Sequence, residues 1–116
     1  LDFVQLNYSL AQRDAERRLL PLARDKGIAT LINVPFARGR LFRRVSGRKL
    51  PPWAAEFDAR SWGQFFLKYI LANAAVTAII PGTTKVRHMT DNLGAGRGRL
   101  PTKAQRKRMV ELIADL

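Results

Sequence analysis

Cysteine is absent from the 116 residues, which excludes disulfides and thiolate metal sites and fits a reducing cytoplasm. Histidine occurs once, as His88. No acid or nucleophile is set beside it, so it reads as an exposed helix residue rather than a catalyst. Acids are scarce, with nine Asp and Glu against 21 Lys and Arg, a formal charge of +12. Long apolar runs are missing too: none approaches the roughly 20 residues that span a bilayer. The N-terminus lacks the basic-then-apolar pattern of a signal peptide. These absences point to a soluble, globular, cytoplasmic protein with no membrane partner and no metal. The chain also lacks an initiating methionine. It opens on Leu1, with strand-like alternation under way by Phe3, as expected of a segment cut from something longer.

What is present suffices for one domain, since 47% of the residues are hydrophobic. The positive charge is clustered. Arg38, Arg40, Arg43, Arg44, Arg48 and Lys49 form one group, and Arg97, Arg99, Lys103, Arg106, Lys107 and Arg108 another. Counter-ion release could give such patches salt-sensitive affinity for nucleic acid or another polyanion. A solvated face is the commoner outcome of a charge run, so a polyanion-binding module stands as the alternative reading.

Phe3 to Tyr8 alternates as a strand, with Gln5 and Asn7 on one side and Val4 and Leu6 on the other. Two amides on one strand face suit either a ligand or solvent. Leu19, Leu20, Leu22 and Gly27 mark a helix with a glycine cap, expected to become regular near Pro21, where a missing N–H does no harm. Ile28 to Val34 is a continuous apolar run, the pattern of a strand covered on both faces. Residues 35–60, with Pro51, Pro52, Gly39 and Gly47, read as a long loop with little regular structure, pinned by Trp53 and Phe57. Ser61 and Gln64 form a capping box for a helix whose Trp62, Phe65, Phe66, Tyr69 and Ile70 make a packing stripe. Thr102 and Gln105 form another, opening a helix with an apolar side of Met109, Leu112, Ile113 and Leu116.

Between them lies AVTAIIPGTTKVRHMTDN, residues 75–92. Val76 to Ile80 is a β-branched run, Pro81 and Gly82 stop it, and Thr83 and Thr84 offer oxygens at a helix start. Such a helix N-terminus can hold a phosphate, although local chemistry alone favours an ordinary capped βα turn. The order β, α, β, α, β, α, α could be a small open α/β sheet or a sector of a (β/α)8 barrel. A start inside a strand favours the barrel: its C-terminal portion, about three parallel strands with flanking helices and a C-terminal helix. In a barrel the functional atoms lie where strands end, after Tyr8, Val34 and Ile80.

At these strand ends the chain resembles the aldo/keto reductase family. FVQLNYSL is similar to its sixth barrel strand, GIATLINVPFARGRLF to the seventh with its cofactor loop, and AVTAIIPGTTKVRHMTDNLGA to the eighth with its phosphate-binding helix. The resemblance implies that residues 1–116 are the C-terminal part of a barrel that reduces aldehydes and ketones with NADPH, NADH being the other candidate cofactor. It implies a nicotinamide contact for Gln5, and it sets Asn33 where a stacking tyrosine often stands. Pro35, Phe36 and Arg38 match the loop beneath the pyrophosphate. Thr83, with Gly82 and Thr84 beside it, matches the site of the adenosine 2′-phosphate, while Asp91 and Asn92 match positions near the adenine and its ribose.

Gly82 and His88 replace a common lysine and arginine, so Lys85 or Arg87 would have to supply charge, and preference for NADPH over NADH should weaken. No residue matches the family's catalytic Asp, Tyr, Lys and His set. A small carbonyl substrate is therefore expected to react only with the rest of the barrel present.

Overall fold

The computed structural model describes residues 3–80 and 86–116. Three parallel strands, β1 (Phe3–Asn7), β2 (Ala29–Asn33) and β3 (Ala78–Ile79), form a sheet in the order β1-β2-β3. The register sets Asn7 opposite Asn33 and Ile32 opposite Ile79, so all three C-terminal ends open at one rim. The expected alternation in β1 is present, with Gln5 and Asn7 exposed and Val4 and Leu6 half-buried. β2 departs from expectation. Only the Thr30 and Ile32 face is buried, because the helices pack there, and Leu31 and Asn33 on the other face remain half-open.

β3 is also shorter than the apolar run suggests. The Thr30 hydroxyl donates to the Ala75 carbonyl at 2.6 Å and accepts the Thr77 N–H at 3.0 Å, while Thr77 Oγ1 accepts the Thr30 N–H at 2.9 Å. These side-chain bonds surround a single main-chain bond, from the Thr77 N–H to the Thr30 carbonyl at 3.2 Å, and regular pairing begins only at Ala78.

Helix α1 (Leu19–Asp25) starts two residues before Pro21, which lies within the first turn, where its missing N–H still leaves no intrahelical bond unmade. It closes as expected at Gly27, whose φ of 68° is the left-handed conformation glycine adopts freely. The Ile28 N–H returns to the Ala23 carbonyl at 2.8 Å and the Gly27 N–H to Arg24 at 3.2 Å, a Schellman closure.

Residues 35–60 are more ordered than a loop. They fold into a 3-10 turn (Ala37–Gly39), a short helix α2 (Arg40–Arg44) and a second 3-10 stretch (Pro52–Phe57). Phe57 is fully buried, and the Trp53 ring packs tilted against Phe65 with centroids 5.7 Å apart, so the anchoring role expected of both holds.

Helix α3 (Trp62–Leu71) is buried on nearly every side. Phe65 and Phe66 have no exposure, and Phe65 meets Trp53, Phe57, Trp62 and Phe66 with ring centroids 5.1 to 6.0 Å apart. Ser61 accepts the Gln64 N–H at 3.1 Å, but Gln64 reciprocates one residue early, at the Arg60 N–H (2.9 Å), so the expected box is only half made. Lys68 is wholly buried on the same helix; its amine donates to the Arg97 and Arg99 carbonyls at 2.6 and 2.8 Å, and burial pushes its pKa down.

Helix α4 (Val86–Gly94) follows, then α5 (Lys103–Ala114), which has the complete Thr102–Gln105 capping box. α5 buries Met109 and Ile113 against the core. Among the described residues no helix is long and apolar enough to cross a membrane, and no group of three His, Cys, Asp or Glu is placed to hold a metal ion.

One polar cluster joins these layers. Glu16 Oε2 accepts hydrogen bonds from the Tyr8 hydroxyl, from Tyr69 at 2.6 Å and from Arg106 at 3.0 Å. Burial, reinforced by the Glu16 hydrogen bond, raises both phenols, Tyr69 to about 12 and Tyr8 further. These are the only two tyrosines in the chain. Tyrosinate absorbance of the folded protein should therefore rise only above the ordinary value of 10.0, whereas chain unfolded in denaturant should titrate near it. Because the folded pKa lies above the unfolded one, this contribution to stability is intact below pH 10.0 and is lost as pH climbs toward 12. Coincident titration of folded and unfolded chain would contradict the cluster.

Candidate functional site

The rim where the strands end carries an unusual backbone. Leaving β2, Val34 has φ of 44°, Ala37 53°, Arg38 56° and Gly39 86°. Left-handed geometry costs an L-residue roughly 1–2 kcal/mol. A β-branched valine there is a pronounced outlier, of the kind that gathers at ligand-binding positions. The turn holds together through the Ala37 N–H on the Val34 carbonyl (2.9 Å) and the Gly39 N–H on the Phe36 carbonyl (3.1 Å). Pro35 and Ala37 are buried while Arg38 projects outward, so the turn is anchored by small apolar residues and presents a guanidinium.

Two clefts meet at this turn. The first, of about 530 Å³, is bounded by Asn7, Asn33, Pro35, Phe36, Arg38 and Ile80, together with Val34 and Gly39. It spans the ends of all three strands. The second, of about 500 Å³, lies between α2, the start of α3 and α4, and is lined by Phe36, Phe42, Ser61, Trp62, Gly63, His88, Asp91 and Asn92. Phe36 borders both. Its ring is held 4.8 Å from Phe42 and 6.4 Å from Phe66, so a fixed aromatic wall separates an amide-rich hollow with one cation from an aromatic hollow with polar groups on one side.

Seven residues singled out from the sequence thus line the paired clefts: Asn33, Pro35, Phe36, Arg38, His88, Asp91 and Asn92. Gln5 lies on the open face of β1, two residues before Asn7, and lines neither cleft; Arg87 is exposed on α4 and also lines neither. Gly82, Thr83 and Thr84 lie outside the described residues.

Sequence reasoning missed Phe42, Trp62 and Gly63 as lining residues. An aromatic beside the cationic run and a glycine directly inside a helix start were the available signals. Ser61 was recognised only as a cap, yet its hydroxyl also donates to Asp91 Oδ2 at 2.7 Å. Tyr8 and Tyr69 line neither cleft; both donate to Glu16.

The family model described as the aldo/keto reductase family matches residues 1–113. The chain belongs to that family. Among its relatives is an uncharacterized oxidoreductase of Schizosaccharomyces pombe, 35% identical over 92 residues, covering 79% of this chain and 29% of that protein. A probable aldo-keto reductase of Glycine max is 24% identical, covering 90% of this chain and 38% of its own length.

Of the solved structures, a thermostable aldo-keto reductase crystallised with the inhibitor epalrestat superposes with a TM-score of 0.70 at 26% identity, over 93% of this chain and 38% of that one. The holo form of a Bacillus halodurans aldo-keto reductase superposes at 0.71 with 21% identity, over 97% and 42%, a likeness of fold. The chain therefore spans about a third of the length of the curated relatives and about two fifths of the structural ones. In this aldo/keto reductase chain the three parallel strands and their helices are a sector of the (β/α)8 barrel.

Gly39 is the one member of the turn that takes its left-handed conformation without a steric cost, which any side chain would introduce. Gly39→Ala should lower stability by about 1 kcal/mol in equilibrium urea unfolding. Equal stability would show that the turn does not hold this conformation in solution.

Proposed function

We propose that the chain is the cofactor-binding C-terminal part of an NAD(P)H-dependent aldo/keto reductase acting on aldehydes or ketones. The observation that carries this reading is the meeting of two clefts at Phe36, on the rim formed by the C-terminal ends of parallel strands. An extended dinucleotide needs two hollows with a charged turn between them. The donor set suits it: Arg38 can give charge-assisted hydrogen bonds to the pyrophosphate from the turn joining the hollows, and the aromatic second cleft suits a purine. Asn33 and Asn7 offer amides at the other end, where Asn33 can hydrogen-bond a carboxamide but cannot stack on it. Gln5 stands further down the same strand face, and Thr83 would take the 2′-phosphate, flanked by Gly82 and Thr84, with Arg87 or Lys85 supplying charge.

When bound, the cofactor supplies a hydride to the carbonyl carbon. This chain's residues bind and orient it, and the proton donor comes from a catalytic set carried by the rest of the barrel. Because Gly82 and His88 stand where a lysine and an arginine are common, discrimination between NADPH and NADH is expected to be weak.

The polyanion alternative loses ground on geometry. Arg99 is engaged by Asp58 at 3.1 Å and Arg106 by Glu16 at 3.0 Å, so part of the second cationic cluster is structural. Fluorescence titration of NADPH should give saturable binding. Arg38→Ala and Thr83→Ala should each weaken it about tenfold, the scale of one charge-assisted hydrogen bond. Unchanged affinity in both variants would sink the assignment.

A further inference from the structure

The turn that joins the two clefts meets a second guanidinium. Helix α2 leaves that turn at Gly39, in the left-handed conformation with φ of 86°. A Cβ built on Gly39 would stand 3.4 Å from Arg43 Nη1. The Arg43 guanidinium therefore lies back over the turn, against the face where a side chain at position 39 would project. Gly39 and its neighbour Arg38 border the first cleft, while Phe42, the residue before Arg43, lines the second. Arg43 thus stands at the junction of the two hollows.

Its helix is held firmly. Leu41 has no exposure and Val45 only 3%, so α2 is anchored in the core at positions one turn apart. The Phe42 ring lies 4.8 Å from Phe36 and 5.4 Å from Phe66. Arg43 is exposed. Nothing on this short helix balances its charge, because α2 carries Arg40, Arg43 and Arg44 and no acid. Like charges three and four positions apart weaken a helix. Among the described residues the ion pairs are those of Arg99 with Asp58 and Arg106 with Glu16, so none of these three arginines has a carboxylate within ion-pair distance. A bound anion would relieve that repulsion.

We propose that Arg43 is a binding residue for the diphosphate of the dinucleotide, acting beside Arg38 so that two guanidiniums hold it. This role rests on the dinucleotide reading of the clefts and deepens it. In an extended dinucleotide the diphosphate is the part that crosses between two hollows, and an arginine fork matches the paired oxygens of a phosphate group. The 2′-phosphate of NADPH has the same chemistry but belongs to the adenosine end. Location decides between them, since Arg43 lies on Gly39, which borders the first cleft and not the aromatic second one.

Fluorescence titrations of the full chain with NADPH and with NADH separate these cases. Both cofactors carry the diphosphate, so Arg43→Ala should weaken both by about tenfold and to the same degree. Loss confined to NADPH, or no loss with either, overturns the proposal. Lys107→Ala removes one exposed charge from α5 and should leave both affinities unchanged. A loss matching that of Arg43→Ala would mark a general effect of net charge and likewise overturn it. Inorganic pyrophosphate supplies an arm independent of the dinucleotide: it should raise the melting temperature of the parent chain, and Arg43→Ala should need about tenfold more of it for the same rise. If the parent responds to pyrophosphate in this way but binds neither NADPH nor NADH, the dinucleotide reading fails while Arg43 stands as a diphosphate-binding residue. Equal responses of parent and variant, or no response in either, overturn that assignment.

Discussion

The Glu16 carboxylate is the point on which the packing of this chain turns. Its Oε2 atom gathers donors from Tyr8 just after β1, Tyr69 on α3 and Arg106 on α5, the last 90 residues from Glu16 in sequence. A partly desolvated carboxylate holding three donors leaves little freedom to any of the elements that supply them. Arg106 adds a hydrogen bond to the Tyr8 hydroxyl at 2.9 Å, another to the Tyr69 carbonyl at 3.3 Å, and lies 4.4 Å over the Tyr69 ring. The side chains of Arg106 and Glu16 are 18% and 27% exposed. The ion pair therefore falls between an exposed pair, worth about 0.2–1 kcal/mol, and a fully buried one, whose breakage costs about 3–5 kcal/mol. Its consequence for function is positional, because Tyr8 directly follows the strand end at which Asn7 enters the first cleft.

α3 is the second organising element, and its polar residues matter as much as its aromatics. Lys68 spends its charge on two carbonyls of the segment that follows α4, and Asp58 receives the Arg99 N–H at 2.8 Å and its guanidinium at 3.1 Å. The Arg99 hydrogen bonds hold the Asp58 carboxyl well below the usual carboxylate range. Residues 97–99 are thereby fixed from both sides. Together with the Ser61 and Gln64 bonds to Asp91, α3 grips α4 at its middle and the segment after its end. A site built on α4 inherits its rigidity from α3.

Much of this was legible in sequence because it is local. The alternation of Phe3 to Asn7, the aromatic spacing of α3, the Gly27 closure and the Thr102 box all depend on residues within a few positions of one another. The misjudged features depend on partners far away. Ahead of β3, Thr77 and Thr30, 47 residues apart, exchange side-chain as well as main-chain bonds, and regular pairing starts only after them. Gln64 leaves its box incomplete because its Oε1 accepts the Arg60 N–H while its amide nitrogen is held by Asp91, 27 residues later. Residues 35–60 fold into short helices because Phe57 and Trp53 find Phe65, and no local periodicity announces that. The left-handed run through Val34, Ala37 and Arg38 uses residues that avoid this region by preference, so only tertiary constraint can hold it. The resemblance at the strand ends named seven lining residues of the clefts, Phe36 among them, but not Phe42, which packs on that ring.

The sheet's outer strands carry the last step of the argument. With order β1-β2-β3, β1 and β3 each have one edge unpaired among the described residues. Exposed apolar side chains concentrate on these strands and on the helices joined to them: Phe3 on β1 and Leu19 and Leu22 on α1 at one end, Ile80 just after β3 and Met89 and Leu93 on α4 at the other. Leu93, at 70%, is the most open of them. Soluble sheets ordinarily blunt an open edge with charge, proline or a covering element, and burying a leucine-sized side chain is worth roughly 1.5–3 kcal/mol. Six such groups at two edges amount to a driving force for closure that the three strands by themselves do not use. A barrel uses it, since closure abolishes both edges at once. The physics of the edges and the placement of the clefts thus favour one arrangement, in which further strands complete the wall around the rim where the two clefts meet.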